Sequence, residues 1–309
     1  PAPTWLHGWP AAARRKPLQP ATAWPHAWCN TAVLCCPKPP WPTSFAEPVA
    51  HPRGDPISRL EVDGTEVLVE GPGPHTLALI HGWPDTRALW NPLVAQLLAR
   101  PDLGLRCVRF TLPGNDLAQG RRPMSLAQMT AHFAAIVDAV SPGQPVTLLL
   151  HDWGAVYGYQ YAMQHPQRVA RLVGVDIGDT GSGEFIRGLP LKAKLGIAGY
   201  QLWLALAHQL PAALGDRMTR WMAKQLRAPA APERIAAQMN HPYVATWSGG
   251  FAKAVRVQPA CPTLFIYGQR KPFMFHAPQW AERIAARPGN AVLGLRAGHW
   301  VMVNQPEAF

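Results

Sequence analysis

From residue 57 onward, short apolar runs alternate with segments of helical spacing. Segments 59–62 and 66–70 alternate apolar with polar residues around Asp63-Gly64, which predicts a hairpin. Apolar runs at 76–80, 106–111, 146–150, 169–175, 262–267 and 290–295 predict further strands. Between them, 86–99, 125–140, 154–164 and 276–287 carry apolar residues three and four apart, as amphipathic helices do. Strands alternating with helices predict an α/β fold with a mostly parallel sheet covered on both faces. The interval 181–260 breaks the alternation and reads as several helices. It predicts a helical lid over the carboxyl edge of the sheet, dividing the core into 57–180 and 261–309. Its most apolar stretch, 191–214, is interrupted by Lys192, Lys194, Gln201 and His208, which argues against a membrane span. The terminal NQPEAF reads as the start of a helix, so a helix is expected to run on past Phe309.

Composition separates the first 56 residues from the rest. They hold 13 of the 34 prolines and five of the 13 tryptophans. Proline lacks an N–H and restricts its neighbour, so this leader is expected to be disordered rather than helix or strand. The 29 Lys and Arg outnumber the 18 Asp and Glu, giving a net charge of +11. The cations are scattered, without a basic stripe or finger spacing, so no nucleic-acid partner is expected. Three of the five cysteines lie in the leader. Cys107 and Cys261 are far apart and lack metal-ligand spacing. That usage suits a reducing, cytoplasmic location without disulfides or metal.

Three segments at predicted strand ends carry chemistry: His81-Gly82-Trp83-Pro84-Asp85, His151-Asp152-Trp153-Gly154 and Gly298-His299-Trp300. Open α/β sheets place their ligand crevice at such ends. A carboxylate at the strand-to-helix turn could be no more than a helix cap. As a nucleophile it is suited to displacement at an sp3 carbon, because attack on an ester would yield a reactive anhydride. No G-x-S-x-G occurs, which disfavours a serine esterase. His81 and His151, at strand ends, are expected to satisfy backbone groups rather than do chemistry.

On HGWP, HDWG and GHW in this order, residues 57–309 resemble the α/β-hydrolase superfamily. The elbow resembles its Asp-nucleophile branch, the epoxide hydrolases and haloalkane dehalogenases. The resemblance implies Asp152 as nucleophile, His299 as the base activating water, and the backbone N–H groups of Trp83 and Trp153 as oxyanion donors. Many relatives carry the triad acid after the penultimate strand, but here that loop reads Gly268-Gln269-Arg270-Lys271-Pro272. Some dehalogenases place it after the sixth strand, where Asp176 stands, with Asp179 as the fallback. The lid tyrosines Tyr200 and Tyr243 resemble the acid pair that protonates an opening epoxide. Leu150 departs from the glycine common two residues before the nucleophile. Epoxide opening is the favoured reading, haloalkane dehalogenation the second, and a non-catalytic binding protein the third. No cofactor is expected. The expected partner is an apolar small molecule admitted past Phe185, Trp203, Trp221, Trp247 and Phe251, and no membrane partner is expected.

Overall fold

The computed structural model describes residues 57–309, so the proline-rich leader lies outside the described residues. The strands are β1 (Ser58–Val62), β2 (Thr65–Glu70), β3 (His75–Ile80), β4 (Leu105–Phe110), β5 (Val146–His151), β6 (Val169–Val175), β7 (Thr263–Gly268) and β8 (Ala291–Leu295). They form one sheet in the order β1-β2-β4-β3-β5-β6-β7-β8. β1 and β2 pair antiparallel, as does β2 with β4, and every later pairing is parallel. The expected hairpin turns at Asp63 and Gly64, both at positive φ.

Strand residues project alternately to the two faces. On one face Ala78, Ile80, Leu148 and Leu150 pack on Phe133 and Ile136 of α2 (Leu126–Val140) and on Ala155 of α3 (Trp153–Gln164). On the other, Leu77, Leu79 and Leu149 pack on Val94 of α1 (Asn91–Leu98) and on Val301. Helix α2 starts at a capping box, in which the Ser125 hydroxyl accepts from the Gln128 N–H and the Gln128 side chain from the Ser125 N–H. The sheet is therefore covered on both sides, which leaves its carboxyl edge as the place for a site.

The lid follows β6: α4 (Gly183–Gly188), α5 (Leu191–Gln209), α6 (Ala212–Gln225) and α7 (His241–Trp247). The chain returns to the sheet at β7, followed by α8 (Pro278–Ala285), β8 and a short α9 (Val301–Asn304). Helix α9 ends at Asn304, and at NQPEAF the Ala308 and Phe309 N–H groups donate to the Gln305 carbonyl, a single turn. Gln305 precedes Pro306, which disfavours the helical region, and it sits at φ −140°.

The antiparallel edge is tied to the parallel sheet by a buried pair. The Arg109 Nε donates to Glu70 at 2.7 Å, with both side chains almost fully buried. Removing one partner strands a charge, so Glu70→Ala is expected to lower the unfolding free energy by about 3–5 kcal/mol in urea denaturation. The pair Glu70→Leu/Arg109→Met is expected to cost much less, since it strands no charge.

Candidate active site

The loops after β5, β6, β7 and β8 meet at one end of the sheet. Asp152 occupies the turn between β5 and α3 at φ +53° and ψ −128°, a strained backbone for a residue with a Cβ. Two glycines make the close packing around it feasible. A Cβ on Gly82 would come within 2.2 Å of Asp152 Oδ1, and one on Gly154 within 2.2 Å of the His81 carbonyl. The HGWP loop can thus lie directly against the elbow.

The two oxygens of Asp152 face different partners. Oδ1 accepts from the Trp83 backbone N–H at 2.6 Å, and the Trp153 backbone N–H also bonds this carboxylate. Oδ2 faces His299 Nε2 at 3.2 Å. On the other side of the ring, His299 Nδ1 donates to Asp176 Oδ2 at 2.6 Å. Carboxylates accept hydrogen bonds and cannot donate them, so an imidazole held between two of them is suited by its doubly protonated form. Burial disfavours the charge on His299, but the bonds and charges of both carboxylates outweigh it and raise its pKa to about 9. Burial likewise opposes the charge on Asp152. The bond and charge of His299 and the Trp153 N–H hold it below its ordinary value.

Asp176 stands immediately after β6 at φ +68°, fully buried. Its Oδ1 accepts from the Gly268 N–H at 2.9 Å and pairs with the Lys271 ammonium. Burial would raise its pKa, but the Lys271 charge and the His299 bond hold it well below the usual carboxylate range. Asp179 is engaged elsewhere: it accepts from Ser182 Oγ at 2.6 Å and from the Ala277 N–H at 2.8 Å, anchoring the start of the lid to the loop before α8. The imidazole therefore meets Asp176 and not Asp179.

Tyr200 and Tyr243 descend from α5 and α7 onto the same spot, their ring centroids 6.0 Å apart. Tyr243 packs edge-on against Trp153 at 5.3 Å and Trp83 at 5.8 Å. Burial, and then the charge of Asp152, raise the pKa of both tyrosines. For Tyr200 the Gln201 bond opposes that rise. The indole N–H groups have partners: Trp83 Nε1 donates to Asn240 Oδ1 at 2.7 Å, and the Trp153 side chain hydrogen-bonds Tyr243. A narrow cleft opens beside them, with Met129, Tyr157 and Met239 among its apolar walls.

His81 donates from Nδ1 to the Gly82 carbonyl at 2.9 Å and accepts the Leu112 N–H at Nε2, a neutral ring that ties two loops together. His151 donates to the His299 carbonyl at 3.2 Å, and burial drives its pKa down to about 3. Of the residues expected to line an entrance, only Phe251 reaches the site, stacking on Trp153. Phe185 packs under α8, while Trp203, Trp221 and Trp247 are exposed on the outside of the lid. The spacing of apolar residues does not say which side of a lid they face. Two participants escaped the sequence reading. Lys271 lies in the very loop that looked deficient for want of a carboxylate. Asp85, its pKa raised to about 7 chiefly by burial, accepts from Trp300 Nε1 at 2.7 Å and clips the HGWPD loop to the His299 loop.

The model of the Alpha/beta hydrolase family matches residues 77–309. The chain belongs to that family. It is 38% identical over 119 residues to the "Probable oxidoreductase EphD" of Mycobacterium tuberculosis, covering 36% of this chain and 19% of that protein. It is 37% identical over 98 residues to the epoxide hydrolase srdG of Neurospora crassa, covering 30% of this chain and 28% of that one. The matched part thus spans less than a third of either relative's length. Among solved structures, the epoxide hydrolase VrEH1 of Vigna radiata has the same fold, with a TM-score of 0.55 at 16% identity over 83% of this chain and 96% of that one. Within the hydrolase family, strand order and elbow are common ground, and chemistry depends on what fills the elbow.

The His299 pKa, raised from 6.5 to about 9, carries a stability consequence. A raised value stabilises the fold fully below 6.5, and that contribution is lost as pH rises through about 9. The stability gap between wild type and His299→Gln is therefore expected to narrow from neutral to strongly alkaline pH in urea titrations. Lys271→Met removes a cation beside the pair, so His299 is expected to titrate above about 9, read by NMR of the imidazole.

Proposed function

We propose that this hydrolase opens epoxides through an ester on Asp152. The observation that carries the proposal is the split role of the Asp152 oxygens, Oδ1 held by the Trp83 backbone N–H and Oδ2 beside His299. Oδ2 attacks an epoxide carbon and the C–O bond breaks. The departing oxygen takes a proton from the tyrosine pair, which becomes a tyrosinate. The imidazolium proton then returns to that tyrosinate. His299 becomes basic at this point for an electrostatic reason: the ester has no charge, so two of the four interactions that raise its pKa disappear.

Neutral His299 next takes a proton from water, and the hydroxide adds to the ester carbonyl. The developing oxyanion at Oδ1 is held by the Trp83 and Trp153 N–H groups. Collapse releases the diol and restores carboxylate and imidazolium, so protons balance over the cycle. Asp176 keeps the imidazole oriented and its Nδ1 protonated, while Lys271 keeps Asp176 ionised.

A halide leaving group needs N–H donors rather than an acid. Both indole N–H groups that could serve are already committed, to Asn240 and Tyr243, and this favours the epoxide. The test compares styrene oxide with 1-bromobutane as substrates. Diol formation from the first without bromide release from the second is expected; the reverse would assign a dehalogenase. With His299→Gln the ester is expected to accumulate, visible as Asp152 carrying the mass of one substrate. Unmodified protein, despite turnover by wild type, would sink the mechanism. Tyr243→Phe is expected to slow ring opening by about 10²–10⁴-fold, the usual worth of a general acid.

A further inference from the structure

The outer face of the lid is apolar where a soluble helix is ordinarily polar. Leu191, Leu195, Leu202 and Leu206 of α5 are between 49% and 71% exposed. At about 100° per residue they fall within about 60° of one another, a single stripe along the helix. Opposite the stripe, Ala193, Leu204 and Ala207 are buried against the rest of the lid. Next to it Trp203 and Trp221 of α6 lie ring to ring at 5.0 Å, both exposed, with Leu214 also exposed on α6. A contiguous exposed apolar surface of this kind marks an interaction site.

The charge around the stripe identifies what it fits. Between residues 187 and 227 the sequence carries seven Lys and Arg against one acid, Asp216. That acid is itself engaged, accepting from the Ala237 N–H and facing Arg220. Lys192 flanks the leucine stripe on α5, and Arg217 and Lys224 are exposed on α6. A second copy of the chain docking face to face would set this excess of cations against itself. The leader is no better matched, with five cations and two acids in residues 1–56. An anionic bilayer offers both an apolar interior for the leucines and negative headgroups for the rim. Tryptophan belongs at the level between them.

We propose that the α5–α6 face of the lid is a docking surface for an anionic lipid bilayer. This departs from the expectation of no membrane partner but needs no spanning segment: no helix of the described residues is long and apolar enough to cross a membrane. The face is distinct from the Asp152 site, so the proposal stands or falls independently of the epoxide reading.

The test floats the full chain with vesicles of phosphatidylcholine alone, and with vesicles containing phosphatidylglycerol. At least tenfold stronger binding to the anionic vesicles is expected, weakening steeply with added salt. Lys192→Glu/Lys194→Glu and, separately, Leu195→Asn/Leu202→Asn/Leu206→Asn are each expected to reduce binding by about tenfold or more. Circular dichroism melting shows whether each variant is folded, and the lysine pair decides alone if the leucine triple is not. Absent flotation, equal binding to both vesicle types, or binding unchanged in the folded variants would overturn the proposal. So would a wild-type dimer that the leucine triple converts to monomer, since the occupant would then be a second copy.

Discussion

Two carboxylates, an imidazolium and an ammonium share the buried end of the sheet, and their charges sum to zero. Each alone would be costly to remove from water, and together they are tolerated because every charge faces an opposite one. The order runs Asp152, His299, Asp176, Lys271. These residues come from the loops after β5, β8, β6 and β7, four strands adjacent in the sheet. The parallel sheet is thus what makes the cluster feasible, because it delivers four loops to one edge at the spacing of neighbouring strands. Displacing any one of the four would leave the others with an uncompensated charge in a dry place.

The strands and the helices of the core were legible in the sequence because burial on two faces writes itself as short apolar runs, and burial on one as helical periodicity. Asp152 and His299 were legible through their neighbours. The glycines packed around Asp152, Gly82 and Gly154, are demanded by close approach, which leaves a fixed local pattern such as HGW or HDWG. Asp176 and Asp179 were harder to separate, since both follow the same strand and the sequence says nothing of where a carboxylate points. A positive φ turns Asp176 toward His299, and the bonds to Ser182 and Ala277 hold Asp179 in the loop before α8. Lys271 was illegible for a different reason. It contributes by neutralising a group 95 residues away, and no local spacing encodes a long-range ion pair. The lid was recognised as helices, but its two faces were not told apart. Apolar residues on both sides of α5 blur the periodicity that elsewhere distinguishes inside from outside.

A neutral cluster also constrains the order of chemical events. With both carboxylates charged, His299 holds its proton and is no base, so water cannot be activated ahead of time. In the proposed mechanism an ester on Asp152 would remove one of the two charges that hold that proton, so the ring would become available only once there is an ester to hydrolyse. The second carboxylate sets how far this goes. Lys271 and the Gly268 N–H hold Asp176 ionised, and in the proposed cycle its charge would keep Nδ1 protonated and leave Nε2 as the basic nitrogen. Had the acid been a lone carboxylate without the lysine, its full charge would bear on the ring and the imidazolium would persist even after the ester formed. The lysine after β7 and the acid after β6 therefore belong together: a carboxylate buried at that position needs a balancing charge, and the neighbouring loop supplies it.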